Sequence, residues 1–327
     1  MKTGAAERNT TRFEYYGTNW LKEGFVFPGL YDYIEETKER LRQPLSVPEY
    51  ATAGEAERIR RFSEKAKENP YLQRAGFAEA ARQLKTGMGD VRSIPFGEYP
   101  LLYNVCVFAS KTLTGVPPIT NLYTSGGDEL RYNAFALDYQ DKVWIYISDQ
   151  FFKEHGMLKV EELCFIVGHE LGHTQCHHST LGSDSSYGSD KEYSADRAGM
   201  IVCARWMLEH LPGCAPEYAA SRAALYGVSS LLKLELAGKN WPDRTDWSRA
   251  VDYEELQSAM DRLFDNASKL TVSSGSHPHD RHRAMAMINF SQSQLFYRCL
   301  GFDPGEYPGL LSDAVLGRFM SFQLTNE

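Results

Sequence analysis

The chain lacks any apolar stretch long enough to cross a bilayer. Its most hydrophobic runs, Leu101–Ala109, Leu163–Gly168 and Ala198–Leu208, are short or broken by Asn, Arg or Trp, well under the ~18 consecutive apolar residues of a spanning helix. It also lacks a basic excess. Lys+Arg 35 against Asp+Glu 43 gives a formal charge of −8, and no stretch interleaves basic and aromatic residues, so nucleic acid is not an expected partner. There is no CxxC pair: Cys106, Cys164, Cys176, Cys203, Cys214 and Cys299 are scattered among mostly apolar neighbours. Six cysteines permit disulfides, but a chain of this length does not need them, and reduced, mostly buried thiols are expected. The opening residues MKTGAAERNTTRFEYYG put charges where a secretion signal would carry its apolar stretch. A cytoplasmic protein without membrane insertion is the expectation.

What is present is ordinary for a folded protein: 43% hydrophobic and 24% charged residues in a chain of 327, enough for one large domain or two modest ones. Residues 1–50 are aromatic-rich but broken by Pro28, Pro44 and Pro48, with a helix expected over Leu30–Gln43. Gly54–Lys85 has helical spacing interrupted at Pro70, and a Gly- and Pro-rich loop, Gly87–Pro100, follows. Leu101–Leu113 reads as a buried helix. Short strands are expected at Ile119–Thr124, Arg131–Leu137 and Val143–Ser148, then helices at Val160–Thr180 and Lys191–His210 joined by the polar link Leu181–Asp190. Beyond Pro212 the chain is again mostly helical, with loops at Gly238–Trp247 and Thr271–Asp280. The resulting division is a helical N-terminal extension over 1–98 and a catalytic unit over 99–327.

Within the apolar helix EELCFIVGHELGHTQCHH stands His169-Glu170-Leu171-Gly172-His173, an HExxH pattern. Residues i and i+4 share one helix face, so two imidazoles can reach one metal ion. Glu170 points about 100° round the helix, where it can meet a metal-bound water without being a ligand. Satisfied core histidines beside a surface Glu are the bland alternative, but a buried helix face that carries two imidazoles and a carboxylate needs partners for all three. His177 and His178 follow in the same helix. His177 lies two turns from His169, and both read as structural or solvent-facing. Nineteen residues beyond His173, Glu192 and Asp196 are again i and i+4. Read alone, they are a solvated acidic face near a helix N-terminus; behind HExxH, one carboxylate can serve as a ligand and the other can orient an imidazole. A third cluster, Ser276-His277-Pro278-His279-Asp280-Arg281-His282-Arg283, reads on residue type as an exposed loop.

These motifs in this order resemble the gluzincin metallopeptidases of the HtpX and CAAX prenyl endopeptidase type, most closely their soluble, minigluzincin-like members. The likeness rests on Asn133-Ala134-Phe135-Ala136-Leu137, HExxH at 169–173, ExxxD at 192–196, and His277-Pro278 with Arg283 six residues after the His. Together they span about 130–285, roughly half the chain. The resemblance implies an α+β, mostly helical zincin-like fold with a small mixed sheet whose edge strand precedes the HExxH helix. It implies one Zn2+ held by His169, His173 and Glu192, with Glu170 as general base and Asp196 and Arg283 supporting the ligands. It further implies that His277 stabilises the tetrahedral intermediate and that Asn133 and Ala134 lie on an edge strand where an extended peptide pairs. Tyr187 and Tyr193 stand near the motifs without an assigned role. Membrane-bound members carry spanning helices that this chain lacks, and residues 1–98 match no pattern of the family.

The expected function is a zinc metallopeptidase, an endopeptidase or oligopeptidase acting on extended segments of peptide or protein substrates, with the N-terminal extension not required by the chemistry. The competing reading is a latent or non-catalytic, zinc-stabilised regulatory protein whose site the extension covers. Oligomeric state is not legible in the sequence.

Overall fold

A computed structural model describes residues 45–69, 72, 91–95, 97–113, 121–124, 133–139, 142–152, 157–181, 188–238 and 280–318. Its helices are α1 (Ala53–Glu68), α2 (Pro100–Thr112), α3 (Val160–Gln175), α4 (His178–Leu181), α5 (Gly188–His210), α6 (Pro216–Gly238), α7 (Asp280–Ser291) and α8 (Gln294–Cys299). Its strands are β1 (Arg92–Ser93), β2 (Asn121–Thr124), β3 (Ala134–Tyr139) and β4 (Lys142–Ile147), in sheet order β1-β2-β4-β3. The β2–β4 pair is parallel and the other two are antiparallel. The molecule is thus mostly helical with a small mixed sheet, an α+β architecture, and no helix among the described residues is long and apolar enough to cross a membrane.

The central element is α3. Every residue from Glu162 to Thr174 except His173 is buried, as expected of a helix apolar almost all round. Burying Leu163, Phe165, Ile166, Val167 and Leu171 stabilises the fold by about 1.5–3 kcal/mol each, which offsets the cost of placing imidazoles and carboxylates on the same helix. Glu162 fixes its start. The carboxylate accepts the Lys159 backbone N–H (2.8 Å), the Ser229 hydroxyl (2.6 Å) and the Lys233 ammonium (2.6 Å), so an orphan donor at the helix start and two groups of α6 converge on one buried side chain.

The expected helix Val160–Thr180 is broken. His177 adopts φ 58°, the left-handed conformation that terminates a helix, and the Cys176 N–H bonds back to the Gly172 carbonyl. The chain restarts as α4 at His178. The strands start and end within three residues of expectation, but β1 lies inside a stretch read as loop: its two residues pair with Tyr123 and Thr124. The expected helix Leu30–Gln43, the segment 70–85 apart from Leu72 and the loop Thr271–His279 lie outside the described residues. All six cysteines are free thiols, with Cys106, Cys164, Cys176 and Cys203 buried.

Helices α3 and α5 cross at unusually close range because both are glycine-lined at the contact. A Cβ added at Gly168 would stand 2.9 Å from the Gly199 Cα and 2.8 Å from the Val202 Cβ. One at Gly172 would stand 2.7 Å from the Ala198 Cβ, and one at Gly199 would stand 2.7 Å from the Phe165 carbonyl oxygen. Residues 45–58 pack onto the same pair of helices, and Tyr50 and Ile59 belong to the same core as Phe165, Val202 and Phe290. Replacing Gly199 with Ala is expected to destabilise the protein by about 1–3 kcal/mol through overpacking, despite a gain of roughly 0.8–1 kcal/mol in helix propensity. A urea denaturation midpoint that falls relative to the parent protein is the check.

Candidate metal centre

The close crossing brings α5 within reach of the HExxH face. Nε2 of His169 and Nε2 of His173 are 3.0 Å apart, and the Glu192 carboxylate stands 3.7 Å from the first and 3.8 Å from the second. The three ligand atoms lie within 4.8 Å of one another. An ion bound tetrahedrally at ~2.0–2.1 Å keeps its ligand atoms about 3.3 Å apart; the His169–His173 separation is just under that, and the two carboxylate separations, each to a different oxygen of Glu192, are just over it. His169 and Glu192 are buried and His173 is half-buried. A set of two imidazole nitrogens and one carboxylate oxygen could hold a divalent metal ion and leave a coordination position for water.

The imidazoles are oriented from behind. His169 Nδ1 lies 3.0 Å from Asp196 Oδ1, and a carboxylate can only accept, so Nδ1 carries the proton and the Nε2 lone pair faces the ligand cluster. Asp196 is held in turn by Arg283 of α7, whose Nε donates to Oδ2 (2.8 Å) and whose Nη2 donates to Oδ1 (2.6 Å). Arg283 Nη1 also stands 3.4 Å from Glu192. One guanidinium therefore spans the ligand carboxylate and the orienting carboxylate, in the bidentate geometry that suits Arg and not Lys. His173 is backed differently: its Nδ1 meets Nδ1 of His178, whose Nε2 lies 3.1 Å from Glu55 Oε1 on α1.

Burial dominates the electrostatics. It pushes Glu170 up to about 7, against the opposing influence of His169, Arg283 and the Ala136 backbone N–H. It also holds His173 and His178 well below the ordinary imidazole range. Burial pulls His169 down too, but its hydrogen bond to Asp196 and the charges of Asp196, Glu192 and Glu170 more than offset this, and its pKa is raised. For Asp196 the penalty of burial is outweighed by Arg283 and then by His169, which keep the carboxylate ionised.

The cluster opens into a cleft of about 500 Å³ lined on one side by β3. Among the described residues β3 is the terminal strand of the sheet. The Asn133 carbonyl accepts the Ser148 N–H at 3.0 Å, so alternation turns the backbone groups of Ala134 and Ala136 to the outer side of the strand. Asn133, Ala134, Glu170 and Arg283 all border the cleft. Phe165, Ile166 and Leu231 supply an apolar wall. Tyr193 is buried against Ala286, while His277 and Tyr187 lie outside the described residues. His178 and Glu55 are the participants that motif reading passes over. They lie 123 residues apart, and Glu55 carries only the ordinary signal of an acidic residue in a first helical turn.

Replacing Asp196 with Ala removes the bidentate partner of the buried Arg283, leaving Glu192 at 3.4 Å as its nearest carboxylate, and is expected to cost about 3–5 kcal/mol of stability in metal-free protein. The double variant Asp196→Ala/Arg283→Met should recover part of that loss; chemical denaturation of the three proteins checks both. Comparison of the chain with protein-family models, with curated proteins and with solved structures finds no match.

Proposed function

We propose that the protein is a zinc-dependent peptidase of the gluzincin type with a zincin-like fold, an endopeptidase or oligopeptidase acting on extended peptide segments. The observation that carries this reading is the placement of Glu170: a buried carboxylate beside three converging ligands, in a cleft bordered by the outer side of an edge strand. A purely structural ion would need neither that carboxylate nor an open cleft. The small mixed sheet against the HExxH helix and the ordered motifs support the same family reading.

His169 Nε2, His173 Nε2 and Glu192 would hold the ion. When bound, zinc supplies Lewis acidity and a water of lowered pKa. The chain's own residues supply the rest. The outward backbone groups of Ala134 and the Ala136 carbonyl, with Asn133 at the strand start, pair with a substrate strand by β-strand addition and align its scissile bond along α3, while the Ala136 N–H bonds to Glu170. Glu170 accepts the proton of the attacking water on its carboxylate and returns it to the leaving amine. Asp196 and Arg283 keep His169 and Glu192 in place during this transfer. By the family resemblance, His277 would contribute to holding the oxyanion.

Replacing Glu170 with Gln is expected to leave one zinc per chain by metal analysis while lowering cleavage of a peptide library by at least ~10²-fold, the lower range for loss of a general base. Cleavage by that variant at the parent rate would contradict the mechanism. A chelator should abolish parental cleavage and added zinc should restore it. A zinc-stabilised regulatory protein would instead bind zinc and show no cleavage in either form.

A further inference from the structure

The two imidazoles of the ligand cluster are backed by different parts of the molecule. The partner of His169 lies on α5, inside the motif core, whereas the partner of His173 leads out of it to α1. His178 is wedged between them with its side chain 8% exposed and Glu55 is fully buried, so neither is a surface contact. The hydrogen-bond directions follow from the carboxylate end. Glu55 Oε1 accepts from Arg58 Nε (3.2 Å) and Nη2 (2.7 Å), and as a carboxylate it must also accept from His178 Nε2. A neutral His178 then has its lone pair on Nδ1, which makes His173 Nδ1 the donor between the two rings. That leaves the His173 Nε2 lone pair turned toward His169 and Glu192.

The segment that carries Glu55 is locked in place. Thr52 caps α1 by accepting the Glu55 N–H at 3.2 Å, and its hydroxyl donates to Asp190 Oδ1 at 2.6 Å. The Thr52 N–H donates to Ser194 Oγ at 3.1 Å, and Arg197 Nη1 donates to the Tyr50 carbonyl at 2.8 Å. Gly54 permits the contact, since a Cβ there would fall 2.3 Å from Asp190 Oδ2. Tyr50 donates through its hydroxyl to Gln175, and His177 Nε2 lies 3.1 Å from the Ser46 carbonyl. The left-handed turn at His177 places His178 beside His173 and turns its own ring toward the N-terminal segment.

We infer that the N-terminal segment Ser46–Arg58 is a built-in positioning element for the metal centre: Glu55, acting through His178, sets the ring orientation of His173, so docking of α1 and metal binding favour one another. The inference rests on the metal-binding part of the proposed function and not on peptidase activity. Linkage requires reciprocity: whatever α1 adds to metal affinity, the metal must return as stability of the α1 contact.

The test is a zinc titration of the full-length protein and its variants in competition with a chromophoric chelator. Losing an outer partner of a ligand imidazole costs ~10–100-fold in metal affinity, and His178→Ala is expected to fall in that range. His178→Asn, whose amide oxygen can stand where Nδ1 stood, should recover most of the affinity, and Glu55→Gln should lie between parent and His178→Ala. A merely structural role would not follow acceptor chemistry in this way. Hydrogen exchange of parental residues 53–68, measured with and without zinc, supplies an arm that needs no variant to fold: zinc is expected to slow it. Unchanged affinity in His178→Ala, or exchange indifferent to zinc, overturns the inference while leaving the peptidase reading intact. A parent protein that binds no zinc overturns both, and one that binds zinc with the predicted pattern but cleaves nothing supports this inference alone.

Discussion

The site depends on the distance between two helix backbones. Three positions without side chains, Gly168 and Gly172 on α3 and Gly199 on α5, let the helices approach until added Cβ atoms would overlap backbone or Cβ atoms across the contact. Only at that separation does the short reach of Glu192 bring its carboxylate to His169 and His173. Dense, solid-like packing around the crossing makes this a fixed distance. The apolar residues of α3 stabilise the crossing, and the ligand cluster exploits a geometry that core packing maintains.

Bringing so many titratable groups into a dry region has a cost, and the arrangement shows how it is met. Asp196 and Arg283 form a bidentate pair, Arg58 donates through Nε and Nη2 to one oxygen of Glu55, and His169 and His178 each spend a ring nitrogen on one of these carboxylates. Each buried charge thereby meets an opposite one, the condition under which burial is tolerated, although Glu55 Oε2 and Arg58 Nη1 remain buried without a hydrogen bond. The two ion pairs stand behind the two imidazoles, one reaching α7 and one on α1, so segments far apart in the chain converge on a pair of rings one turn apart.

The part legible in the sequence is the part that has a period. His169 and His173, then Glu192 and Asp196, are visible because i and i+4 share a helix face, and the positions of α2, α5 and three of the strands follow from apolar spacing. The helical glycines at 168, 172 and 199 stand in apolar surroundings, a signal of close packing that the motif reading leaves unused. What was not legible depends on contacts without period. The break at Cys176–His177 requires a non-glycine residue in the left-handed region, which composition does not announce. β1 is two residues long and exists through its pairing with β2. The role of Glu55 is hidden because an acidic residue in a first helical turn already has a local explanation, and nothing local links it to His178. The expectation that the chemistry needs nothing from the N-terminal extension overlooks this contact.

The claim that His169, His173 and Glu192 form one metal centre is tested most directly by X-ray absorption at the zinc edge of stoichiometrically loaded protein. The spectrum should show two imidazoles, with nitrogen and oxygen scatterers at ~2.0–2.2 Å and no sulfur, because the buried cysteines belong to the apolar core. A sulfur shell near ~2.3 Å, or fewer than two imidazoles, would contradict it.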